Sequence, residues 1–293
     1  MDHSLMTFIT VAEKKNFTRA AETLHLTQAA VTLAIQKLEK QYQVKLFDRT
    51  NKFVHLTRAG EILYHHGKEI LFQYERVERL IDDLSNSASG EIRIGSSYTF
   101  GEYILPKLIA QFGQYYPKIT PDISIRNTSR VISQLLRGQL DLAIIEGEVE
   151  HADVMIKPFA KDEMVVIVSA YHPLSTKNEV TLDDLANETW IIREGGSGTR
   201  QRIDQFFKEE GFSPIKTRDF GSSQIIKESV EAGLGVSIVS TVIIQKEIEL
   251  GTIKALRIKD NPIVRSFSYV MQQTSFHPKS TKLFVEFLDT YYE

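Results

Sequence analysis

Residues 18–41 read TRAAETLHLTQAAVTLAIQKLEKQ, and this stretch decides the fold of the N-terminal region. Ala20, Ala21 and Leu24 form one apolar stripe at helical spacing, and Ala30, Val31, Ala34, Ile35 and Leu38 form a second. Leu26 falls in the turn between them. The small Ala20 and Ala21 let two helices cross closely, and the Thr27 hydroxyl can cap the second helix. Gln28, Thr32 and Gln36 lie four apart, opposite most of the second stripe. Short neutral hydrogen-bonding side chains on such a face, with Ala29 beside them, suit base edges in a major groove. An ordinary helical hairpin with a polar outer face satisfies the same periodicity, so the flanking residues must separate the two readings.

They favour the first. Residues 44–57 read VKLFDRTNKFVHLT, a short two-stranded ribbon: apolar Val44, Leu46 and Phe47, a polar turn from Arg49 to Lys52, then Phe53, Val54 and Leu56. A basic turn at the tip of a ribbon beside a helix-turn-helix is a wing, and Arg49 and Lys52 could reach phosphate or a minor groove. A solvated hairpin with two surface cations is the alternative. Taken together, Phe8 to Gly60 resembles the N-terminal domain of the LysR-type transcriptional regulators. The match runs through Val11-Ala12-Glu13, Phe17-Thr18, Ala20-Ala21, Leu24, Leu26-Thr27-Gln28, Ala30-Val31-Thr32, Leu38-Glu39, Leu46-Phe47, Arg49, Leu56-Thr57 and Ala59-Gly60. The departures are Ala29 where the family often has Pro, Thr32 where it often has Ser, and Gln43 where Gly commonly precedes Val44. None removes a donor that the motif needs.

Composition agrees. A chain of 293 residues with 42% hydrophobic residues has room and apolar surface for more than one packed domain. With no cysteine, a disulfide framework, a thiolate nucleophile and a Cys-based zinc site are all excluded. Met1 to Leu5 is not a basic start leading into an apolar stretch, and no run of apolar residues reaches membrane-spanning length. The expectation is a cytoplasmic protein with no membrane partner. The net charge of −3 argues against non-specific polyanion binding by the whole molecule. Before residue 58, however, basic residues outnumber acidic ones, as phosphate contact requires.

Residues 59–89 read as one long helix. Leu63, Ile70, Val77 and Leu84 recur every seven residues, with Tyr74 and Ile81 in the intervening rows. Packing back onto its own subunit is one reading. Dimerisation is favoured, because helix-turn-helix proteins usually read two half-sites related by a two-fold axis. His65 and His66 are adjacent, so they are expected to face different ways, and no metal site is expected. Ser85 to Gly90 is a flexible joint.

Beyond it the pattern alternates. Strands are expected at Ile92–Ile94, Ile123–Ile125, Leu140–Ile145, Met164–Val168, Trp190–Ile192 and Val236–Val239. Helices are expected at Tyr103–Tyr116, Val131–Gly138, Gln201–Glu210, Ile225–Ala232 and Thr281–Tyr292. The alternation implies parallel α/β sheets. Residues 90–293 resemble the effector domains of LysR-type regulators, in the branch that includes regulators of sulfite reduction and carbon fixation. The matching stretches are Gly101 to Pro106, Asn127-Thr128, Gly138 with Leu140 to Leu142, Glu146-Gly147, Gly195 to Arg200 and Glu231 to Gly235. The resemblance implies a two-lobed, periplasmic-binding-protein-like (type 2) fold. It places lobe I at 90–161 and 266–293 and lobe II at 162–265, following a winged helix-turn-helix at 1–58.

Three loops could meet a small molecule. Gly95 to Gly101 follows a strand and opens a helix, where hydroxyls and N–H groups favour an anion; helix capping explains it equally well. Arg126 to Arg130 is similar, with an ordinary polar loop as the alternative. Arg193 to Arg200 contains Gly195, Gly196 and Gly198, which allow close backbone approach, and Arg200 supplies a fork suited to carboxylate, sulfate or phosphate. It lacks the endings of both the P-loop and the dinucleotide motif. By resemblance, the effector pocket uses Ser96, Ser97, Thr99, Asn127, Thr128, Glu146, Ser197, Gly198 and Thr199, with Arg200 nearby. An anionic effector is one expectation, and Glu146 opposes it.

An enzyme or a transport-type solute binder is the competing reading. The chain has no Cys, no ligand-spaced His-x-x-x-His and no Gly-x-Ser-x-Gly elbow, and no catalytic residue or cofactor is assigned. The expectation is therefore a sequence-specific, double-stranded-DNA-binding regulator, controlled by a small metabolite and acting as a homodimer or homotetramer.

Overall fold

Helices α1 (His3–Lys14), α2 (Phe17–Thr23) and α3 (Gln28–Tyr42) each turn one apolar stripe inward. Their shared core contains Phe8, Val11, Ala20, Ala21, Val31, Ile35 and Leu38. Thr27 caps α3 as expected, and Asn16, which the sequence reading did not single out, caps α2. Asn16 Oδ1 accepts from the Thr18 and Arg19 N–H groups at 2.9 and 3.0 Å. Thr27 Oγ1 accepts from the Ala30 N–H at 3.1 Å. The chain leaves α3 through Gln43 at φ 55, a left-handed position that Gly occupies without strain.

In the computed structural model, residues 3–49, 54–85 and 89–292 are described, and two compact units divide near Leu84 and Ser85. Strands β1 (Phe47–Arg49) and β2 (Val54–Leu56) form the antiparallel ribbon of the first unit, with Asp48 opposite His55. The turn between them, including Lys52, lies outside the described residues, as does the Arg49 side chain. Glu39 ties α3 to the ribbon: it accepts from the Leu46 N–H at 3.0 Å and from Lys45 Nζ at 2.7 Å.

Helix α4 (Arg58–Ser85) starts against that ribbon; a Cβ at Gly60 would stand 2.1 Å from the Leu46 carbonyl oxygen. Leu63, Tyr64 and Leu71 pack on the helix-turn-helix core. Ile70, Val77 and Leu84 stay exposed, together with Ile62, Tyr74 and Ile81. Leu63 thus turns to its own unit, and the outward apolar row begins at Ile62.

The second unit starts with β3 (Gly90–Ser96), α5 (Tyr98–Tyr103), α6 (Leu105–Tyr115), β4 (Ile119–Ile125), α7 (Thr128–Leu136) and β5 (Leu142–Glu146). The helix expected at Tyr103–Tyr116 is α6, and a short helix that the sequence reading did not separate, α5, runs into it at Ile104. Pro106 sits in the first turn of α6, where its missing N–H costs nothing. Strand β6 (Val154–Ser169) then carries the chain onward, through β7 (Glu179–Val180), β8 (Thr189–Arg193), α8 (Gly198–Glu209), β9 (Lys216–Phe220), α9 (Ser223–Glu231), β10 (Ser237–Ser240), α10 (Gln245–Leu250) and β11 (Ile253–Ile258). Strand β12 (Ile263–Gln272) returns it, and α11 (Lys279–Tyr292) closes the fold.

Strands β4, β3 and β5 are parallel, as expected, but β12 pairs antiparallel with both β5 and β6. The sheet is therefore mixed. One strand takes the chain out and its neighbour brings it back, so the two must run in opposite directions. On this ladder Asp162 faces Arg265 and Lys161 faces Ser266, with an irregularity between Phe267 and Ser268. Apolar cores gather on either side of that point. One holds Ile92, Phe100, Leu108, Phe112, Phe267 and Phe284, the other Met164, Val166, Trp190, Phe206, Ile238 and Ile263. The result is two α/β lobes joined by two continuous strands. Among the described residues, no helix is long and apolar enough to cross a membrane.

Candidate functional site

The outward face of α3 is built by the packing of its inward one. With Val31, Ile35 and Leu38 fixed in the core, Thr27, Gln28, Ala29 and Gln36 are exposed and Thr32 is half-buried. Gln28 Oε1 accepts from Thr18 Oγ1 at 3.4 Å, which orients its amide from the neighbouring helix. Leu33, which the periodicity does not single out, is also exposed, at 65%. It lies on the same side of α3 as Ala29 and Gln36, one turn from each.

In the second unit, the expected loops do converge, around a residue that sequence reading treats only as a lobe boundary. Arg265 is buried on β12. Its Nε donates to Asp162 Oδ2 at 2.7 Å, Nη1 to Thr199 Oγ1 at 2.8 Å and Nη2 to Thr99 Oγ1 at 3.2 Å. Glu146 Oε1 stands 3.9 Å from Nη1, and the other Glu146 oxygen accepts a short hydrogen bond from Ser97 Oγ. Ser240 Oγ donates to Asp162 Oδ1 at 2.6 Å. One guanidinium is thus held by two carboxylates while its arms reach the first turns of α5 and α8. Truncating it would leave buried charge behind, the costly case for such clusters.

A second set of contacts joins the same elements. The Gly198 N–H donates to Thr128 Oγ1 at 3.2 Å, and Thr128 donates to the Glu146 carbonyl at 3.3 Å. The Ser129 N–H and hydroxyl both donate to the Gly196 carbonyl, at 3.0 and 3.1 Å. A Cβ on Gly198 would stand 1.8 Å from the Glu146 oxygen, so only glycine allows this approach. Asn127 caps α7 through Arg130 N–H and donates to Glu194 Oε1 at 3.2 Å. Burial would raise the Glu194 carboxyl, but the Arg193 guanidinium beside it outweighs this and holds it below the usual value. Arg193, itself buried, stacks over the Tyr98 ring at 4.7 Å.

The structure therefore sorts the alternatives left open by the loops. Ser97 and Ser197 both stand at helix starts without a side-chain capping bond, whereas Asn127 is a true cap. Ser96 and Ser197 are buried, and Ser96 donates to the Ser97 carbonyl at 3.2 Å. Arg200 differs from the expectation. Its fork is committed to Asp204, to Asp219 and to the Arg193 carbonyl, and the cation among the hydroxyls is Arg265. Nothing local in the sequence signals that exchange. Beside the cluster lies a cavity of about 620 Å³, lined by Thr128, Ser129, Gly196, Ser197, Gly198 and Arg200 among others.

His65 and His66 also differ from the expectation that adjacent residues face apart. Both rings swing toward Glu69, three and four residues on, with His66 Nδ1 at 3.3 Å and His65 Nε2 at 3.6 Å from its two oxygens.

A helix-turn-helix with a ribbon, followed by a two-lobed α/β domain with a polar cluster between lobes, defines a ligand-responsive DNA-binding protein. The comparisons make it specific. Residues 3–61 match the model of bacterial regulatory helix-turn-helix proteins of the lysR family, and residues 85–292 match the LysR substrate binding domain. The chain belongs to the LysR family of DNA-binding transcriptional regulators. It is 37% identical over 289 residues to the HTH-type transcriptional regulator CysL of Bacillus subtilis, covering 99% of this chain and 97% of that one. It is 35% identical to a probable RuBisCO transcriptional regulator of Cyanophora paradoxa, over 94% of this chain and 87% of that one. Among solved structures, the regulatory domain of CcmR from Synechocystis, in complex with 2-PG, is 27% identical with a TM-score of 0.65, over 70% of this chain and 98% of that one.

Proposed function

We propose that this regulator reads an operator through α3 and the ribbon, and that a metabolite of sulfur or central-carbon metabolism sets its activity from between the lobes. Gln28, Thr32 and Gln36 contact base edges, with Thr27, Ala29 and Leu33 around them; Leu33 offers an apolar surface to a thymine methyl. Arg49 and Lys52 contact phosphate. The exposed row of α4 pairs with a second copy, and dimers are the minimal unit. The protein acts in the cytoplasm and catalyses no reaction.

The observation that carries the control mechanism is the Arg265 clamp. Its arms end on Thr99 and Thr199, one in each lobe. A ligand that competes for Ser97, Thr99, Thr199 or Arg265 favours one lobe arrangement over another, and only such differential affinity can switch the protein. The adjoining cavity takes part of the ligand. Glycine amides and the starts of α7 and α8 suit an anionic group there, while Glu148 and Asp204 on its wall suit hydroxyls. Support for the metabolic class comes from the likeness to CysL, to regulators named for RuBisCO and to the 2-PG complex of CcmR.

The test is footprinting of the purified protein on DNA upstream of its own and the divergent gene, with excess competitor, and with sulfate, sulfite or 2-PG added. A specific footprint whose length changes with one of these supports the proposal. Gln28→Ala is expected to weaken specific binding by about 1–3 kcal/mol while sparing non-specific binding. Equal losses on both DNAs would remove Gln28 from base reading.

A further inference from the structure

We propose that His65, His66 and Glu69 on α4 form a surface site for a borderline transition-metal dication such as zinc. The three residues occupy positions i, i+1 and i+4 of one helix, so a single turn presents them on one side. Their ligand atoms, an imidazole nitrogen from each histidine and a carboxylate oxygen, all lie within 4.8 Å of one another. The rings meet edge to face, with centroids 5.0 Å apart. An ion about 2.0–2.2 Å from each donor needs donor pairs up to roughly 4 Å apart. Small rotations of three exposed or half-exposed side chains close that difference.

The donor set decides the class of ion. Two imidazoles and one carboxylate suit zinc, nickel or copper, whereas magnesium and calcium prefer all-oxygen shells. Three protein ligands on an open helix face leave the remaining position to water. Without an ion, the His65 and His66 contacts with Glu69 are largely exposed and contribute little.

The site is anchored from behind. Gly67, between His66 and Glu69, packs so closely on Leu5 and Ile9 that its Cβ would stand 2.9 Å from one and 3.3 Å from the other. This contact fixes the α4 turn to α1 and so steadies the turn that carries the donors. Binding is therefore linked to folding of the DNA-binding unit.

The test uses the full-length, untagged protein, stripped with a chelator and titrated with zinc by calorimetry and with cobalt by visible absorption. One saturable equivalent per chain is expected, with a cobalt d–d band. His66→Ala and Glu69→Gln should each weaken it by about tenfold or more, since loss even of an outer-shell partner costs about 10–100-fold. His151→Ala, in the second unit, should change nothing. All three positions are exposed or half-exposed, and circular dichroism checks that the variants fold. Absence of saturable binding in the folded wild type, or an equivalent that survives both substitutions, would overturn the site.

Discussion

Arg265 is one of 35 basic residues in the sequence, and no motif marks it. Its partners lie 66, 103 and 166 residues away along the chain, which no local pattern reports. In the fold, its guanidinium and the Asp162 carboxylate form a buried pair facing each other across one ladder. Arg265→Met should therefore destabilise the effector domain by about 3–5 kcal/mol, because it strands a buried carboxylate. Adding Asp162→Asn in the same chain should recover a large part of that loss, a coupling that a double-mutant cycle in denaturant reads directly. A single-variant loss of no more than about 1 kcal/mol, the level of an exposed pair, would show that the clamp contributes little. The α3 face that we propose meets DNA follows from the sequence for the opposite reason. Thr27 accepts from an N–H three residues on, and Gln28, Thr32 and Gln36 recur every four residues on one helix face, so the signal is short-range spacing. The convergence of the three loops was legible through resemblance, but the partners of their side chains were not: Ser97 bonds Glu146 instead of capping, and Arg200 turns to Asp204 and Asp219.

At the scale of elements, the long helix was readable because its apolar rows repeat, and the rows divide the work. Leu63, Tyr64 and Leu71 anchor α4 on its own unit, and Ile70, Tyr74, Val77, Ile81 and Leu84 face outward. If that outward row pairs two copies, Val77→Asp buries a charge in the seam. The variant should run as a smaller species in sedimentation or light scattering, with helicity retained. An unchanged assembly mass would assign self-association to other surfaces. Strands β11 and β12 and the first half of β6 escaped sequence reading. In β12 the inward positions are Ile263, Arg265 and Phe267, so a cation interrupts the apolar alternation where the clamp needs it. In β6, Lys157, Pro158, Lys161 and Asp162 disguise a strand that pairs along nearly its whole length. Functional polarity hid both elements.

Across the whole molecule, perturbed carboxyls and phenols, Tyr292 foremost among the latter, define a pH window. Burial would raise Glu39, but the Lys45 ammonium and the Leu46 and Phe47 N–H groups outweigh it, so it lies below its usual 4.5; Glu194 does likewise beside Arg193. Carboxyls held low in the fold stabilise it above pH 4.5, and the contribution is lost as pH falls through their folded values. Glu39 serves the DNA-binding unit and Glu194 the effector domain, so both should weaken. Burial of Tyr292, reinforced by Tyr291, pushes its phenol up to about 12 from 10.0. That stabilisation is present below pH 10 and is lost as pH rises toward 12. Glu102 runs the other way on the acid side, since burial raises it despite Arg193 and Lys227. Melting temperature should therefore be flat between about pH 5 and 10 and fall outside that range. A flat profile down to pH 3 would show that the Glu39 and Glu194 contacts contribute little to stability.

Lobe II enters along β6 and leaves along β12 on neighbouring rungs, with Asp162 opposite Arg265. Seen from lobe I, everything between those two residues is the loop of one very large hairpin. The ends of that loop are held a strand spacing apart whatever its contents, and closing a longer loop costs only slowly more. The Asp162–Arg265 rung is thus a natural splice point, at which a different sensing half could be exchanged without redrawing the sheet that receives it. A regulator built this way can change what it listens to while keeping the strands through which it answers.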